Sequence, residues 1–218
     1  MWQISPSRID WPSAVGKKQK QMKVGVLSLQ GDVREHMRAL EDCGVHAVEV
    51  RRPNEIEEID ALVLPGGEST TIAHLAQTFG VFDLISSRIR SGLPVYGSCA
   101  GMILLADRVL DATADQRTFG GMDITVRRNA FGRQVDSFEI DIAIEGLTHS
   151  PLRAVFIRAP WVEQVGPGVE VISSVTREGV SHAVAVRQGR LLATSFHPEL
   201  TEDSRIHRYF IQEVCKPV

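Results

Sequence analysis

Four short apolar runs, separated by stretches of helical period, constrain this chain more than any other feature. Residues 24–29, 45–50, 61–64 and 93–96 have the length and apolar density of strands buried on both faces. Between the first two, Val33, Met37 and Leu40 recur at i, i+4 and i+7, one face of a helix that Gly44 stops. Gln30-Gly31-Asp32 ends the first run, and Asp32 stands where it can cap that helix. Pro53 closes the second run. The third opens through Pro65-Gly66-Gly67-Glu68-Ser69-Thr70-Thr71 into a helix that reaches Leu75 and Phe79, and a further helical stretch covers 81–90. This alternation implies crossover connections and a parallel sheet. The second half reads differently. Residues 124–126, 154–157, 169–175, 183–187 and 191–196 are strand-like, with a hairpin turn at Gln188-Gly189. Residues 138–144 alternate apolar with mostly polar, so one face should be wet. A last helix from about residue 202 aligns Ile206, Phe210 and Val214. The expectation is an α/β fold: a parallel core with antiparallel strands added in the second half, and a ligand at the carboxyl ends of the parallel strands.

The fourth run leads into Gly97-Ser98-Cys99-Ala100-Gly101 and then the helix-like Met102, Ile103, Leu104, Leu105 and Ala106. A strand, a tight turn and a helix set Cys99 on a corner beside free amides and a helix dipole, both of which favour a thiolate. The flanking glycines are expected to tolerate strained angles and to leave room for a ligand. A lone cysteine after a strand is more often a small buried hydrophobe. The glycines and the polar Ser98 favour a nucleophile. The last strand run ends in Ser195-Phe196-His197-Pro198-Glu199. A thiol has a reference pKa of about 8.5, so a nearby imidazole is useful, and an imidazole needs a carboxylate on its other nitrogen. His197 and Glu199, two residues apart, supply both. Alone they read as a surface histidine and an acid at a helix start. On the same sheet edge as Cys99 they form a candidate triad.

Composition removes several classes of function. With 218 residues and 43% of them hydrophobic, the chain can build one domain with a substantial core. A net charge of −3 advertises no nucleic-acid face, and no apolar run approaches a membrane span. Cys43, Cys99 and Cys215 are odd in number and far apart, which fits a reducing cytoplasm better than a disulfide framework. The seven histidines show no metal-ligand spacing. The Gly66-Gly67 turn lacks the Gly-Lys-Ser/Thr of a phosphate loop, although its amides can hold an anion or a developing oxyanion. Residues 1–21 mix prolines and serines with Lys17, Lys18 and Lys20 and show no period. They read as a flexible extension or leader, with 22–218 as a single domain.

Gly-Ser-Cys-Ala-Gly followed by His-Pro-Glu resembles the triad-type, class I glutamine amidotransferases. Leu29-Gln30-Gly31, Pro65-Gly66-Gly67-Glu68-Ser69-Thr70-Thr71, Arg128-Asn129-Ala130-Phe131-Gly132-Arg133-Gln134 and Phe156-Ile157-Arg158-Ala159-Pro160 narrow the likeness to the glutaminase subunits of pyridoxal 5′-phosphate synthases, over residues 22–214. The resemblance implies an open, mixed, mainly parallel sheet of flavodoxin-like type, flanked by helices. It implies Cys99, His197 and Glu199 as the triad, and glutamine held by Gly67, Glu68, Ser69, Arg128, Ile157 and Arg158. It implies no cofactor or metal, and delivery of ammonia to a separate synthase subunit in vitamin B6 biosynthesis. The Gly67 amide as oxyanion donor is also implied; Ala100 follows from the elbow itself. Arginine suits the ligand's α-carboxylate and Glu68 its α-ammonium. Only the family pattern separates Arg128 from its neighbour Arg127. Two other readings are a cysteine hydrolase or peptidase on the same scaffold, which the two arginine blocks disfavour, and a non-catalytic flavodoxin-like binding module, which the complete triad disfavours.

Overall fold

The structure is a computed structural model that describes residues 21–131, 137–147 and 150–216. All but Gln21 of the expected extension, and Gly132, Arg133 and Gln134 of the polar loop, lie outside the described residues. One large sheet carries the domain, in the order β2 (His46–Val50), β1 (Lys23–Leu27), β3 (Ala61–Leu64), β4 (Val95–Ser98), β12 (Leu191–Thr194), β11 (Val180–Gln188), β9 (Trp161–Val165), β6 (Met122–Arg127), β5 (Ala106–Leu110). β10 (Glu170–Arg177) pairs with β11. The first five strands in that order are mutually parallel, and β11, β9 and β6 then alternate in direction. The expected parallel core with antiparallel additions is what forms. β7 (Ser137–Ile142) and β8 (Leu152–Ile157) make a separate two-stranded ribbon.

Period-two alternation divides the core. Leu62 and Leu64 face one side of β3, Ala61 and Val63 the other. On the first side pack α2 (Pro53–Glu57), α3 (Ser69–Thr78), α4 (Phe82–Arg90) and α5 (Ala100–Leu105), through Ile56, Ile72, Ile85 and Met102. On the second side pack α1 (Val33–Glu41), α6 (Arg205–Tyr209) with its π-helical continuation Phe210–Val214, and the β7–β8 ribbon. Ile206, Phe210 and Val214 share the buried face expected of them. No helix among the described residues is long and apolar enough to cross a membrane.

Several details depart from the sequence reading. Asp32 precedes α1 but makes no side-chain cap, because its carboxylate points to His197 instead. α2, β5 and β9 were not anticipated. β5 is an edge strand with charged side chains at Asp107 and Arg108, and Arg108 bridges to Asp123 and Thr125 on β6. The alternation over 138–144 gives a strand, but its apolar side is only partly covered. Ile142 is buried while Ile140 is 39% exposed, since β7 pairs with β8 alone.

Candidate active site

Cys99 follows β4 directly and opens α5. Its backbone sits at φ 48° and ψ −101°, a region that a residue with a side chain enters at a cost. The Cys99 N–H donates to the Thr194 carbonyl at 2.8 Å, and its own carbonyl accepts from Met102. Those bonds hold the corner in place. The flanking glycines have a different role from the one expected, since the strain falls on Cys99 itself. A Cβ on Gly97 would lie 2.5 Å from the Gly101 carbonyl, and one on Gly101 would lie 2.3 Å from the Leu64 carbonyl. Both are therefore glycine so that α5 can close onto β3 and β4. The Cys99 sulfur is 3.9 Å from the Ile157 carbonyl oxygen at the end of β8.

β12 lies parallel to β4, with Thr194 beside Ser98. The chain beyond β12 therefore emerges next to Cys99, and His197 and Glu199 reach the same end of the sheet. His197 Nδ1 is 2.8 Å from Glu199 Oε1 and 3.4 Å from Asp32 Oδ2. Burial by itself lowers the pKa of the ring. Asp32, Cys99 and Glu199 overcome this, and the net movement is upward from 6.5. Burial likewise works to raise Glu199, but the nearby His36 and His197 draw its carboxyl well below 4.5. Asp32, His197 and Glu199 also bring metal-type donor atoms within 4.8 Å of one another. A cation held there would have to displace the Nδ1 proton that Glu199 accepts. The close pairing is accounted for by that hydrogen bond.

A pocket of about 470 Å³ collects Gln30, Asp32, Gly67, Glu68, Ser69, Cys99, Ala100, Arg128, Ile157, Arg158 and His197. Every expected site residue except Glu199 lines it, and Glu199 sits behind His197 with its side chain fully buried. A more open concavity of about 550 Å³ lies at the amino ends of β1, β3, β4 and β12, and no nucleophile paired with a base lines it. In the site pocket, Glu68 spends Oε2 on the start of α3, accepting from the Thr71 N–H and both threonine hydroxyls, while Oε1 meets Arg128 Nη2 at 2.9 Å. Burial opposes ionisation of Glu68, but the Thr70 and Thr71 bonds prevail and bring its pKa from 4.5 to about 2. The Ser69 hydroxyl donates to Gln116. Gly67 adopts φ 149°, and the Gln30 side chain lies across it, its Oε1 accepting from the Glu68 N–H at 2.8 Å. The adjacent arginines point in different directions. Arg127 pairs with Asp111 and Glu163, whereas Arg128 faces the pocket.

Sequence reasoning missed Asp32 as a neighbour of His197, and it missed His36. His36 is three residues from Val33 and four from Leu40, on the buried side of α1, so the helical period alone placed a polar ring in the core.

A thiol at a strand–helix elbow, with a histidine and a buried carboxylate just beyond the neighbouring strand β12 of a mixed α/β sheet, is an arrangement suited to a hydrolase that works through a covalent thioester. The chain belongs to the SNO glutamine amidotransferase family, whose model matches residues 26–216. A pyridoxal 5′-phosphate synthase subunit PdxT from Acidothermus cellulolyticus is 60% identical over 194 residues, covering 88% of this chain and 94% of its own. One from Rhodococcus jostii is 59% identical over the same share of this chain and 96% of its own. Among solved structures, a glutamine amidotransferase at 49% identity superposes with a TM-score of 0.79, over 88% of this chain and 98% of its own. A putative GMP synthase subunit from Thermoplasma acidophilum, at 18% identity and TM-score 0.63, shares the fold.

Proposed function

We propose that the chain hydrolyses L-glutamine to L-glutamate and ammonia, and passes the ammonia to a separate pyridoxal 5′-phosphate synthase subunit. The observation that carries this reading is the shared pocket of Cys99 and His197, with His197 held from behind by Glu199 at 2.8 Å. Residues 22–218 act as one catalytic domain, and a reducing cytoplasm suits its thiol nucleophile.

The Cys99 thiolate attacks the side-chain carboxamide carbon. The Ala100 N–H, in the first turn of α5, and the Gly67 N–H stabilise the oxyanion. The protonated His197 gives its proton to the departing ammonia, leaving a γ-glutamyl thioester. His197 then takes a proton from water, hydroxide adds to the thioester, and glutamate leaves as the thiolate re-forms. Glu199 orients His197 and stabilises its charged state. Arg128 and Glu68 pair with each other at 2.9 Å. A free amino acid carries both complementary charges, so its carboxylate takes Arg128 and its ammonium takes Glu68, replacing one ion pair with two. Ser69, Ile157 and Arg158 complete the wall. That preference for a zwitterion separates this reading from a peptidase, whose scissile residue has at least one of the two groups tied up in a peptide bond.

The test is ammonia release from glutamine, measured with and without the synthase subunit. Cys99→Ala should abolish it in a folded protein. Substantial activity remaining in that variant would refute the assignment.

A further inference from the structure

Behind Glu199 the core contains two fully buried histidines, His36 on α1 and His207 on α6. They stand among apolar side chains, and both meet Tyr96 edge-on, at 6.0 and 5.7 Å between ring centroids. Polar rings in such surroundings are costly unless every proton finds an acceptor. Their contacts form a directed chain. The Ser98 hydroxyl has a single proton, which it donates to Glu199 Oε1 at 3.3 Å, so the same oxygen must accept from His36 Nε2 at 3.2 Å. His36 Nε2 is also 3.4 Å from Glu199 Oε1 itself. With its proton on Nε2, His36 accepts through Nδ1 from His207 Nε2 at 2.9 Å. That leaves His207 Nδ1 as a bare acceptor, and it is one of the buried atoms with no partner among the described residues. Glu199 Oε2 is another. All donors therefore converge on Oε1, the oxygen that holds His197.

We infer that His36 is a positioning residue for glutamine hydrolysis: through Ser98, and by direct approach to Oε1, it fixes the carboxylate that orients His197. The inference rests on the triad reading above. Burial takes the His207 pKa down to about 3, so His207 is neutral and its single proton is the one Nε2 donates to His36. The charged and titratable groups around Glu199 are His197 and Cys99 at the strand ends, Asp32 in the turn before α1, His36 on α1, His207 on α6 and Tyr96 on β4.

The test compares wild type, His36→Leu and His36→Gln in the full chain with its synthase. Gln can still donate an amide N–H toward Ser98; Leu cannot. His36→Leu should lower kcat by about ten- to a hundredfold, the worth of a hydrogen bond serving a charged acceptor, with KM nearly unchanged. The acid limb of its kcat profile should move to higher pH, because a less supported Glu199 takes up a proton sooner. His36→Gln should recover most of the activity and the original limb. Equal losses in both variants would reduce His36 to filling volume and overturn the inference, as would an unchanged kcat in His36→Leu or a loss confined to KM. Iodoacetamide labelling of Cys99 at neutral pH, followed on its own peptide by mass spectrometry, reads the same support without glutamine. It should slow in His36→Leu and not in His36→Gln, and equal rates in all three proteins would also overturn the inference. A wild type that labels but releases no ammonia would defeat the triad reading, while the labelling comparison still decides the role of His36. If His36→Leu does not fold, His207→Leu, which removes the donor to Nδ1, should give a smaller loss of kcat in the same direction; full wild-type kcat there would overturn the inference.

Discussion

Glu199→Gln keeps the shape of the side chain that holds His197 and removes its charge. It acts on the imidazole and not on the ligand, so kcat should fall by orders of magnitude while KM changes little. Steady-state kinetics checks this, and an effect confined to KM would move Glu199 into substrate binding. The same pair sets a pH window for stability. Glu199 has a folded pKa below its ordinary 4.5, so its contribution is complete above about 4.5 and is lost as pH falls through the depressed value. His197 has a folded pKa above its ordinary 6.5, so its contribution is complete below about 6.5 and declines as pH rises toward the folded value. The difference in Tm between wild type and Glu199→Gln should therefore be largest between about pH 4.5 and 6.5 and should shrink on both sides. Thermal unfolding across pH 3–9, roughly three times the span of that window, reads it directly. A difference that grows steadily with pH would contradict the pairing.

The elbow is the element on which the site depends, and Gly101 tests its packing. A methyl group there would meet the Leu64 carbonyl at 2.3 Å, and backbone cannot step aside as a side-chain tip can. Gly101→Ala should cost about 1–3 kcal/mol or more, at about 2–4 °C of Tm per kcal/mol for a chain of this length. Gly44→Ala is a control for space alone, since nothing lies within 4 Å of the added atom, although its φ of 80° still opposes a side chain. Scanning calorimetry on the variants checks both. Much of this element was legible in the sequence: the glycine spacing announced a sharp turn, and the apolar run before it announced a buried strand. What could not be read was which residue carries the positive φ. Sequence favours glycine for that conformation, while the fold assigns it to Cys99 and keeps the glycines for close approach. Asp32 failed for a related reason. Its position before α1 is a capping position, but a histidine 165 positions later (197 − 32) takes its side chain, and no local pattern reports such a contact. β5 and β9 were missed because charged and aromatic residues at a sheet's periphery carry little apolar period.

At the scale of the molecule, the pocket is built from loops after β1, β3, β4, β6, β8 and β12, so anything docking over that end of the sheet touches the chemistry. The Gly67 peptide lies under the Gln30 side chain and can reorient at little steric cost. A synthase seated beside Gln30 would select the orientation that points the Gly67 N–H at the oxyanion, and one such donor is worth about a hundredfold in turnover. The expected outcome is a kcat that rises when synthase is added, with iodoacetamide labelling of Cys99 changing much less; full turnover by the chain alone would contradict it. The position of β12 has a consequence of another kind. It is the last strand made, yet it sits between β4 and β11. A nascent chain that has reached residue 190 has no neighbour for that side of β4, and that gap in the sheet stays open to wrong pairings until residues 191–194 arrive. The same four residues lead His197 to Cys99, so the two side chains come together only at the step that closes the sheet. A chain that stops before residue 191 therefore leaves that side of β4 unpaired and lacks His197 altogether.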